Sequence, residues 1–423
     1  MHKSGYMPRL IDSELELRLR AFGAVLLEGP KFCGKTTSAE HIAASTLYMQ
    51  DEDRSADYLK LADIRPSNLL VGDNPRLIDE WQMAPKLWGA VRFDIDRRGE
   101  KGLYILTGSV SVDEDSLSHS GAGRISRLKM RTMTLQESGD SSCEVSLGDM
   151  LGGRTDVDGT SPLDYGGMAR ALCRGGWPES VGTDEDVASA VVDGYCDALL
   201  RTDINLPEGR RLSPRRTEAI LRSLSRNTAT SASARTIISD MTAYDGTTMS
   251  PNTLADYREA LRMVHVIDDL PAWTPKLRSK AAIRTSDTIH LTDPAIAAHF
   301  LGAGPRDLEM DPNTYGLLFE SLAVRDIRTY AQHLGGQTYH YRDEDGLEAD
   351  IVVHLRDGRW GAMEVKLGGS GIDDGARNLL RLAAKVDRDS MSAPSFLAVI
   401  TGTEFAYTRE DGVHVIPLGC LGA

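Results

Sequence analysis

The stretch Gly29-Pro30-Lys31-Phe32-Cys33-Gly34-Lys35-Thr36-Thr37 (GPKFCGKTT) follows an apolar run at residues 24–27. The spacing Gly-x-x-x-x-Gly-Lys-Thr is that of a phosphate-binding loop. Its glycines let backbone N–H groups turn towards an anion, its lysine reaches the terminal phosphates, and its threonine hydroxyl can bind Mg²⁺. A helix beginning at Gly34 would add its positive N-terminal dipole. The sequence predicts an ATP and Mg²⁺ site with these contacts: Gly29, Pro30, Lys31, Cys33, Gly34, Lys35, Thr36 and Thr37.

Two further apolar runs end in polar residues that fit the same site. Arg76-Leu77-Ile78 is followed by Asp79 and Glu80, which are predicted to bind Mg²⁺ and to act as general base towards the attacking water. The run at residues 103–107 ends in Thr107-Gly108-Ser109, where either hydroxyl senses the γ-phosphate or only caps the strand end. Short apolar runs separated by helical segments favour a parallel α/β sheet with both faces covered.

A basic stretch, HSGAGRISRLKMR at residues 119–131, follows the third run. Strand alternation places Arg127, Lys129 and Arg131 on one solvated face. Arg124, directly after Gly-Ala-Gly, is the candidate arginine finger, which would neutralise charge on the γ-phosphate. A finger acting across an interface would require a homo-oligomer, and the sequence leaves open whether Arg124 acts within its own subunit or on a neighbour.

The composition indicates a protein that works in a reducing compartment. The chain has 423 residues, a net charge of −14 and five scattered cysteines, without zinc-ligand spacing. No run of about 18 apolar residues and no apolar leader is present, so we expect a cytoplasmic protein without a membrane partner. The overall negative charge argues against nucleic acid covering the whole surface but allows a local basic patch.

The middle of the chain is predicted to be helical. Residues 138–165 are rich in Gly, Ser and Asp and are expected to form a linker or surface insertion. Helical patterns at 217–226, 233–241 and 250–263 precede strand-like runs at 264–267 and 288–291, the order of a winged helix. Arg258 and Arg262 lie one turn apart on the third helix and would contact DNA phosphates. The alternative is a winged helix that packs between domains without touching nucleic acid.

The last part of the chain carries a spaced set of acidic residues. A helix contains Glu320, and strand-like runs carry Asp350 and then Glu364-Val365-Lys366, separated by an Asp357-Gly358 hairpin signal. Period-two alternation places Glu364 and Lys366 on one face, which Asp350 can share. This arrangement looks like the PD-(D/E)XK nuclease site, in which Glu320, Asp350 and Glu364 would hold Mg²⁺ and Lys366 would activate water. The alternative is a surface pair of opposite charges on strands.

The motifs together resemble a widespread bacterial and archaeal family of AAA-type ATPases with a C-terminal domain of unknown function. They are YMPRLID, GPKFCGKTT, RLIDEWQ, LYILTGS, GAGRISRLKMRTMTLQES, GGWPES, TDPAIAAHFL, GLLFESLAVRDI and EADIVV. The resemblance implies nucleotide-dependent action with an attached winged-helix-like region. We expect an AAA-type domain at 1–160, a helical winged-helix-like domain at 161–308 and an α/β nuclease-like domain at 309–423.

Three functions remain open at this point. The first is an ATP-hydrolysing protein whose nucleotide cycle gates the C-terminal module, with DNA as a potential partner. The second is an active DNA nuclease that ATP regulates. The third is a nucleotide-binding scaffold without nuclease activity.

Overall fold

The computed structural model describes residues 5–111, 121–154, 156–201, 212–274, 286–386 and 391–423. Its contacts divide the chain into two compact units. The first, the N-terminal unit, is Met1–Thr132 with Leu261–His265, and the second, the C-terminal unit, is Met133–Ala260 with Val266–Ala423. Within the described residues, no helix is both long enough and apolar enough to cross a membrane.

The N-terminal unit is built around a parallel five-stranded sheet. Its strands are β1 (Ala24–Glu28), β2 (Ser45–Tyr48), β3 (Arg76–Asp79), β4 (Tyr104–Gly108) and β5 (Ile125–Lys129), in the spatial order β2-β3-β4-β1-β5. The helices are α1 (Ile11–Ala21), α2 (Lys35–Ile42), α3 (Ser55–Ile64) and α4 (Lys86–Arg98). Every residue of β1 and β4 is buried, as expected for central strands covered on both faces. The predicted parallel α/β sheet is confirmed.

Helices dominate the first half of the C-terminal unit. They are α5 (Leu147–Leu151), α6 (Tyr165–Arg174), α7 (Glu185–Arg201), α8 (Pro214–Arg226), α9 (Ala234–Asp245), α10 (Pro251–Met263), α11 (Pro294–Leu301) and α12 (Pro305–Met310). The three predicted successive helices correspond to α8, α9 and α10. Two antiparallel bridges follow them, Ile267 with Leu291 and Leu270 with Thr288. The order of elements is the expected one, and the winged-helix assignment stays a prediction.

A mixed seven-stranded sheet forms the second half of this unit. Its strands are β7 (Gly159–Thr160), β8 (Gly336–Arg342), β9 (Glu348–Leu355), β10 (Trp360–Lys366), β11 (Phe396–Thr401), β12 (Phe405–Thr408) and β13 (His414–Pro417), in the order β7-β12-β13-β11-β10-β9-β8. The long helix α13 (Pro312–His333) precedes β8, and α14 (Ile372–Lys385) connects β10 to β11. The predicted hairpin is present: β9 and β10 pair antiparallel, and Gly358 adopts a φ of 90° in the turn.

The segment predicted as a linker belongs to this unit's sheets. β6 (Val145–Ser146) pairs with β14 (Leu421–Gly422), and β7 pairs with β12. The linker alternative for residues 138–165 is therefore wrong, and the alternative of a surface insertion stays a prediction. Strands of two residues are too short to show any alternation of apolar and polar side chains, so their pairing with residues more than 200 positions away left no local signal.

A buried ion cluster ties several segments of the C-terminal unit together. Arg325 on α13 donates to Asp293 at 3.0 Å and to Asp326 at 2.8 Å, and all three side chains are buried. Asp293 also accepts the backbone N–H of Gly176, and Asp326 that of Leu135. Burial raises the pKa of Asp326 to about 6, although Arg325 opposes that shift. Arg325 thus binds two carboxylates that in turn accept backbone N–H groups from two other segments, at Gly176 and Leu135.

Candidate active sites

The phosphate loop lies between β1 and α2 and has the backbone that the motif requires. Gly34 at the start of α2 has a φ of 99°, and Phe32 has a φ of 63°. A Cβ atom on Gly29 would lie 2.2 Å from the Met130 carbonyl oxygen, so only glycine fits there. The Lys35 side chain is buried and its Nζ donates to the carbonyls of Gly29 (2.9 Å) and Pro30 (2.7 Å). The carbonyl groups of the loop therefore hold the Lys35 ammonium group in place near the N-terminus of α2.

Asp79 is the point on which the predicted residues converge. Its Oδ1 accepts the Thr36 hydroxyl at 2.7 Å and the Thr107 hydroxyl at 2.6 Å. These residues come from α2, β3 and β4, and the adjacent parallel strands β3 and β4 bring their carboxyl ends to one edge of the sheet. Thr36 and Asp79 present neighbouring oxygen donors, the ligands that Mg²⁺ takes. The structure thus brings together Thr36, Asp79 and Thr107.

Glu80 occupies an unusual backbone position next to this cluster. Its φ of 54° is in the left-handed region, which non-glycine residues adopt uncommonly and which occurs at functional sites. One oxygen of its carboxylate, Oε2, accepts the Ser109 hydroxyl at 3.2 Å and the Gln82 side-chain amide. Gln82 lies on the 3-10 turn Trp81–Met83. The strand end at 107–109 therefore contacts both acidic residues, Thr107 through Asp79 and Ser109 through Glu80.

Arg124 lies at the other end of the sheet from the phosphate loop. It directly precedes β5, whose first residue, Ile125, pairs with Ala24 at the start of β1, whereas Lys129 pairs with Glu28 just before the loop. Five residues of strand separate the two ends, about 16 Å. The Arg124 side chain instead pairs with Asp96 at 2.8 Å. The structure does not bring Arg124 to its own phosphate loop, so only a role on a neighbouring subunit stays a prediction.

Two residues before α1 support the phosphate loop and carried no chemical signal in the sequence. Arg9 is buried and donates to the carbonyls of Cys33 (2.7 Å) and Arg131 (2.9 Å). The Tyr6 hydroxyl contacts Ser38 on α2 at 3.1 Å, and its ring stacks on His41. Tyr6 and Arg9 both belong to the motif YMPRLID, which is part of the family resemblance. The sequence did not indicate what their side chains contact, and the structure shows these contacts.

The second candidate site lies where β9 and β10 separate. The pairs Tyr339–Val352 and Tyr341–Ala349 are out of register by one residue: His340 of β8 lies opposite two residues of β9, Asp350 and Ile351, so β9 carries a bulge at Asp350. Bulges of this kind redirect side chains next to active sites. Asp350 Oδ2 accepts the backbone N–H of Val365 at 2.7 Å. The Lys366 ammonium lies 2.6 Å from Glu364 Oε2 and 3.9 Å from Asp350 Oδ2. The predicted set of Asp350, Glu364 and Lys366 is thus brought together.

Burial gives this acidic set its electrostatic character. Burial and then the Asp350 carboxylate raise the pKa of Glu364 to about 7 and that of Glu320 well above its ordinary value. Burial also raises the pKa of Asp350. Glu364 is only 1% exposed, and its Oε1 has no hydrogen-bond partner among the residues that the structure describes. Lys366 is the one cation that the described residues place beside three acidic side chains, Glu320, Asp350 and Glu364, and a group with this excess of carboxylates suits a further cation.

The same site does not form a complete metal centre as it stands. Within the described residues, no group of three or more His, Cys, Asp and Glu side chains could hold a metal ion. Lys366 lies between the carboxylates of Asp350 and Glu364, so a cation bound by both would require its ammonium to move. The predicted Mg²⁺ ligands Glu320, Asp350 and Glu364 therefore stay a prediction.

Arg258 on the candidate DNA-binding helix α10 is mostly covered and is held by an ion pair. Arg258 pairs with Asp269 at 2.9 Å, and their side chains are 18% and 5% exposed. This ion pair competes with any phosphate for the Arg258 guanidinium, and contact of Arg258 and Arg262 with DNA stays a prediction. The partner of Arg258 lies eleven residues further along the chain, in a run that the helical pattern does not include.

Family models match three parts of the chain. An AAA domain matches residues 21–139, and two domains of unknown function, DUF8612 and DUF4143, match residues 166–307 and 315–421. No curated protein matches the chain. The Walker-type ATPase PABY2304 of Pyrococcus abyssi is one similar solved structure: it is 15% identical, with a TM-score of 0.43, over 70% of this chain and 96% of that chain. The N-terminal part of the chain is therefore similar to AAA domains, in agreement with its parallel sheet and the phosphate loop after β1.

Proposed function

We propose that the AAA-type domain binds ATP with Mg²⁺ and hydrolyses it. The observation that carries the proposal is the convergence of Thr36 and Thr107 on Asp79 Oδ1, beside a phosphate loop closed by Lys35. The two hydroxyls come from the loop helix and from the strand between β1 and β3, as binding at the edge of a parallel sheet requires.

Each residue of the site has one task in this reaction. The loop amides and Lys35 bind the phosphates, and Lys35 leaves the carbonyls of Gly29 and Pro30 to do so. Thr36 and Asp79 would hold Mg²⁺, which neutralises charge on the phosphate oxygens. Glu80 accepts the proton of the attacking water, and Thr107 fixes the orientation of Asp79.

Phosphate release from ATP by the purified chain tests this proposal. We expect Mg²⁺-dependent turnover in the wild type, and an ATP affinity lower by about 10- to 100-fold in Lys35→Ala, because a charge-assisted hydrogen bond contributes about 1.5–3 kcal/mol. Lys60→Ala, on an exposed position of α3, is the matched control and should behave as wild type. A wild type without turnover, or a Lys35→Ala chain with unchanged affinity, contradicts the proposal.

The acidic set on β9 and β10 supports a second function, a Mg²⁺-dependent nuclease module that the nucleotide cycle gates. The observation in its favour is the buried Glu364 carboxylate with an unpartnered oxygen next to Lys366 and Asp350. In this function the two carboxylates would hold the cation and Lys366 would bind the attacked phosphate or the water. The regulatory scaffold remains the alternative without cleavage.

Nicking of supercoiled plasmid DNA separates the nuclease from the scaffold. We expect Mg²⁺-dependent nicking that is lost in Asp350→Asn and Lys366→Ala, since each substitution removes a charge at the site while Glu364 stays in place. Arg377→Ala, at an exposed position of α14, should leave nicking unchanged. Absence of nicking in the wild type, with and without ATP, would favour the scaffold.

A further inference from the structure

Among the side chains that the structure describes at the nucleotide site, Gln82 contacts the candidate general base and also has a buried polar atom without a hydrogen-bond partner. Its Nε2 donates to Glu80 Oε2, the oxygen that also accepts Ser109. If the Gln82 amide were turned over, its oxygen would face the Glu80 carboxylate, and two acceptors would be in contact. The amide nitrogen is therefore the atom that faces Glu80. Because Gln82 and Ser109 both donate to Oε2, the orientation of the Glu80 carboxylate is fixed. Its other oxygen, Oε1, can accept a hydrogen bond from another donor.

The other end of the Gln82 amide has no such partner. Its Oε1 is buried, and no donor within the described part of the chain reaches it. A buried acceptor without a hydrogen bond costs about 1–3 kcal/mol, so the native site should supply a donor. The strand β4 also makes room for this side chain, because a Cβ atom on Gly108 would lie only 2.9 Å from Gln82 Oε1. Gly108 thus lets the amide lie against the strand end that carries Thr107 and Ser109.

We infer that Gln82 is a positioning residue for hydrolysis: its nitrogen holds Glu80, and its oxygen accepts a hydrogen bond from the attacking water. The inference rests on the proposed ATP hydrolysis. A water bound to Glu80 Oε1 and Gln82 Oε1 has both hydrogens engaged, which directs a lone pair at the γ-phosphate. The water oxygen then forms the bond to the γ-phosphorus, the bond from that phosphorus to the ADP oxygen breaks, and the proton passes to Glu80.

The test is a double-mutant cycle between Gln82→Met and Glu80→Gln, measured in the 423-residue chain by steady-state hydrolysis of radiolabelled ATP over a range of ATP concentrations. We expect Gln82→Met to lower kcat by about 10- to 100-fold, because the base and the water lose their alignment, with KM for ATP and the thermal unfolding midpoint unchanged. In the Glu80→Gln background the same substitution should lower the rate by less than about twofold, since its partner is already removed. Gln50→Met, at an exposed glutamine, is the matched control.

The outcomes separate this inference from the proposed function. The positioning role is overturned if Gln82→Met lowers kcat equally in the wild-type and Glu80→Gln chains, or if it does not lower kcat in the wild-type chain. In either case, hydrolysis of ATP by the wild type still supports the proposed function. A wild type without turnover overturns both. If Gln82→Met does not fold, Gln82→Glu replaces it; this variant keeps the shape of the side chain but repels Glu80, so a loss at least as large is expected and unchanged activity overturns the inference.

Discussion

Glu80→Gln should lower kcat for ATP hydrolysis by about 10²- to 10⁴-fold, the range for removal of a general base, and leave ATP affinity unchanged. The substitution keeps the size of the side chain and removes its ability to take a proton. Thr36, Asp79 and Lys35, which would bind the phosphates and the cation, make their contacts without Glu80. The measurement pairs steady-state phosphate release with equilibrium binding of ATP.

The control for Glu80→Gln is the same substitution at another glutamate of the N-terminal unit. Glu16→Gln, at an exposed position of α1, should match the wild type in both measurements. If Glu80→Gln hydrolyses ATP at the wild-type rate, another group takes the proton and the assignment of the base is wrong. If it loses ATP binding as well, Glu80 acts in the ground state and not only in the reaction.

Arg325→Met should lower the free energy of unfolding of the C-terminal unit by about 3–5 kcal/mol, the cost of leaving buried charges unpaired. Methionine fills much of the space of the arginine stem but leaves the carboxylates of Asp293 and Asp326 without a cation. The measurement is urea unfolding followed by tryptophan fluorescence, to which the buried Trp177 and Trp360 of this unit contribute.

Two further variants make this prediction decisive. Arg381→Met, at an exposed position of α14, should unfold as the wild type does. If Arg325→Met does not fold, the triple variant with Asp293→Asn and Asp326→Asn should recover much of the stability, because the amides keep acceptors for Gly176 and Leu135 but carry no charge. A single variant within about 1 kcal/mol of the wild type would show that the cluster contributes little.

The N-terminal fold and much of its site could be predicted because the information is local. A short apolar strand followed by GPKFCGKTT predicts strand, loop and helix within about 20 residues, and Asp79 and Thr107 each end a strand of the same parallel sheet. Placing such strand ends together needs only the rule that parallel strands share one carboxyl edge. Ser109 was one of two hydroxyls proposed for this edge, and both contact an acidic residue there.

The remaining features depend on partners that are distant in the sequence. Arg9 supports Cys33 and Arg131 through backbone carbonyls, which have the same chemistry at every position. Arg258 looked available because helical periodicity reports only the face of its own helix, whereas Asp269 comes from beyond it. The bulge at Asp350 likewise comes from the mismatch between two strands, and alternation within one strand cannot reveal it.

The pairing of β7 with β12 sets the order in which the C-terminal unit can be completed during synthesis. Thr160 pairs with Phe405, and Val145 with Leu421, so the edge of the large sheet and the small β6–β14 pair cannot form until residues 405 and 421 have been synthesised. Until then β6 and β7 lack strand partners that lie more than 200 residues further along the chain, and non-local pairing of this kind folds slowly. The helices α6 to α11 can form beforehand, whereas the backbone N–H and C=O groups of β6 and β7 stay unpaired until residues 405–422 are available.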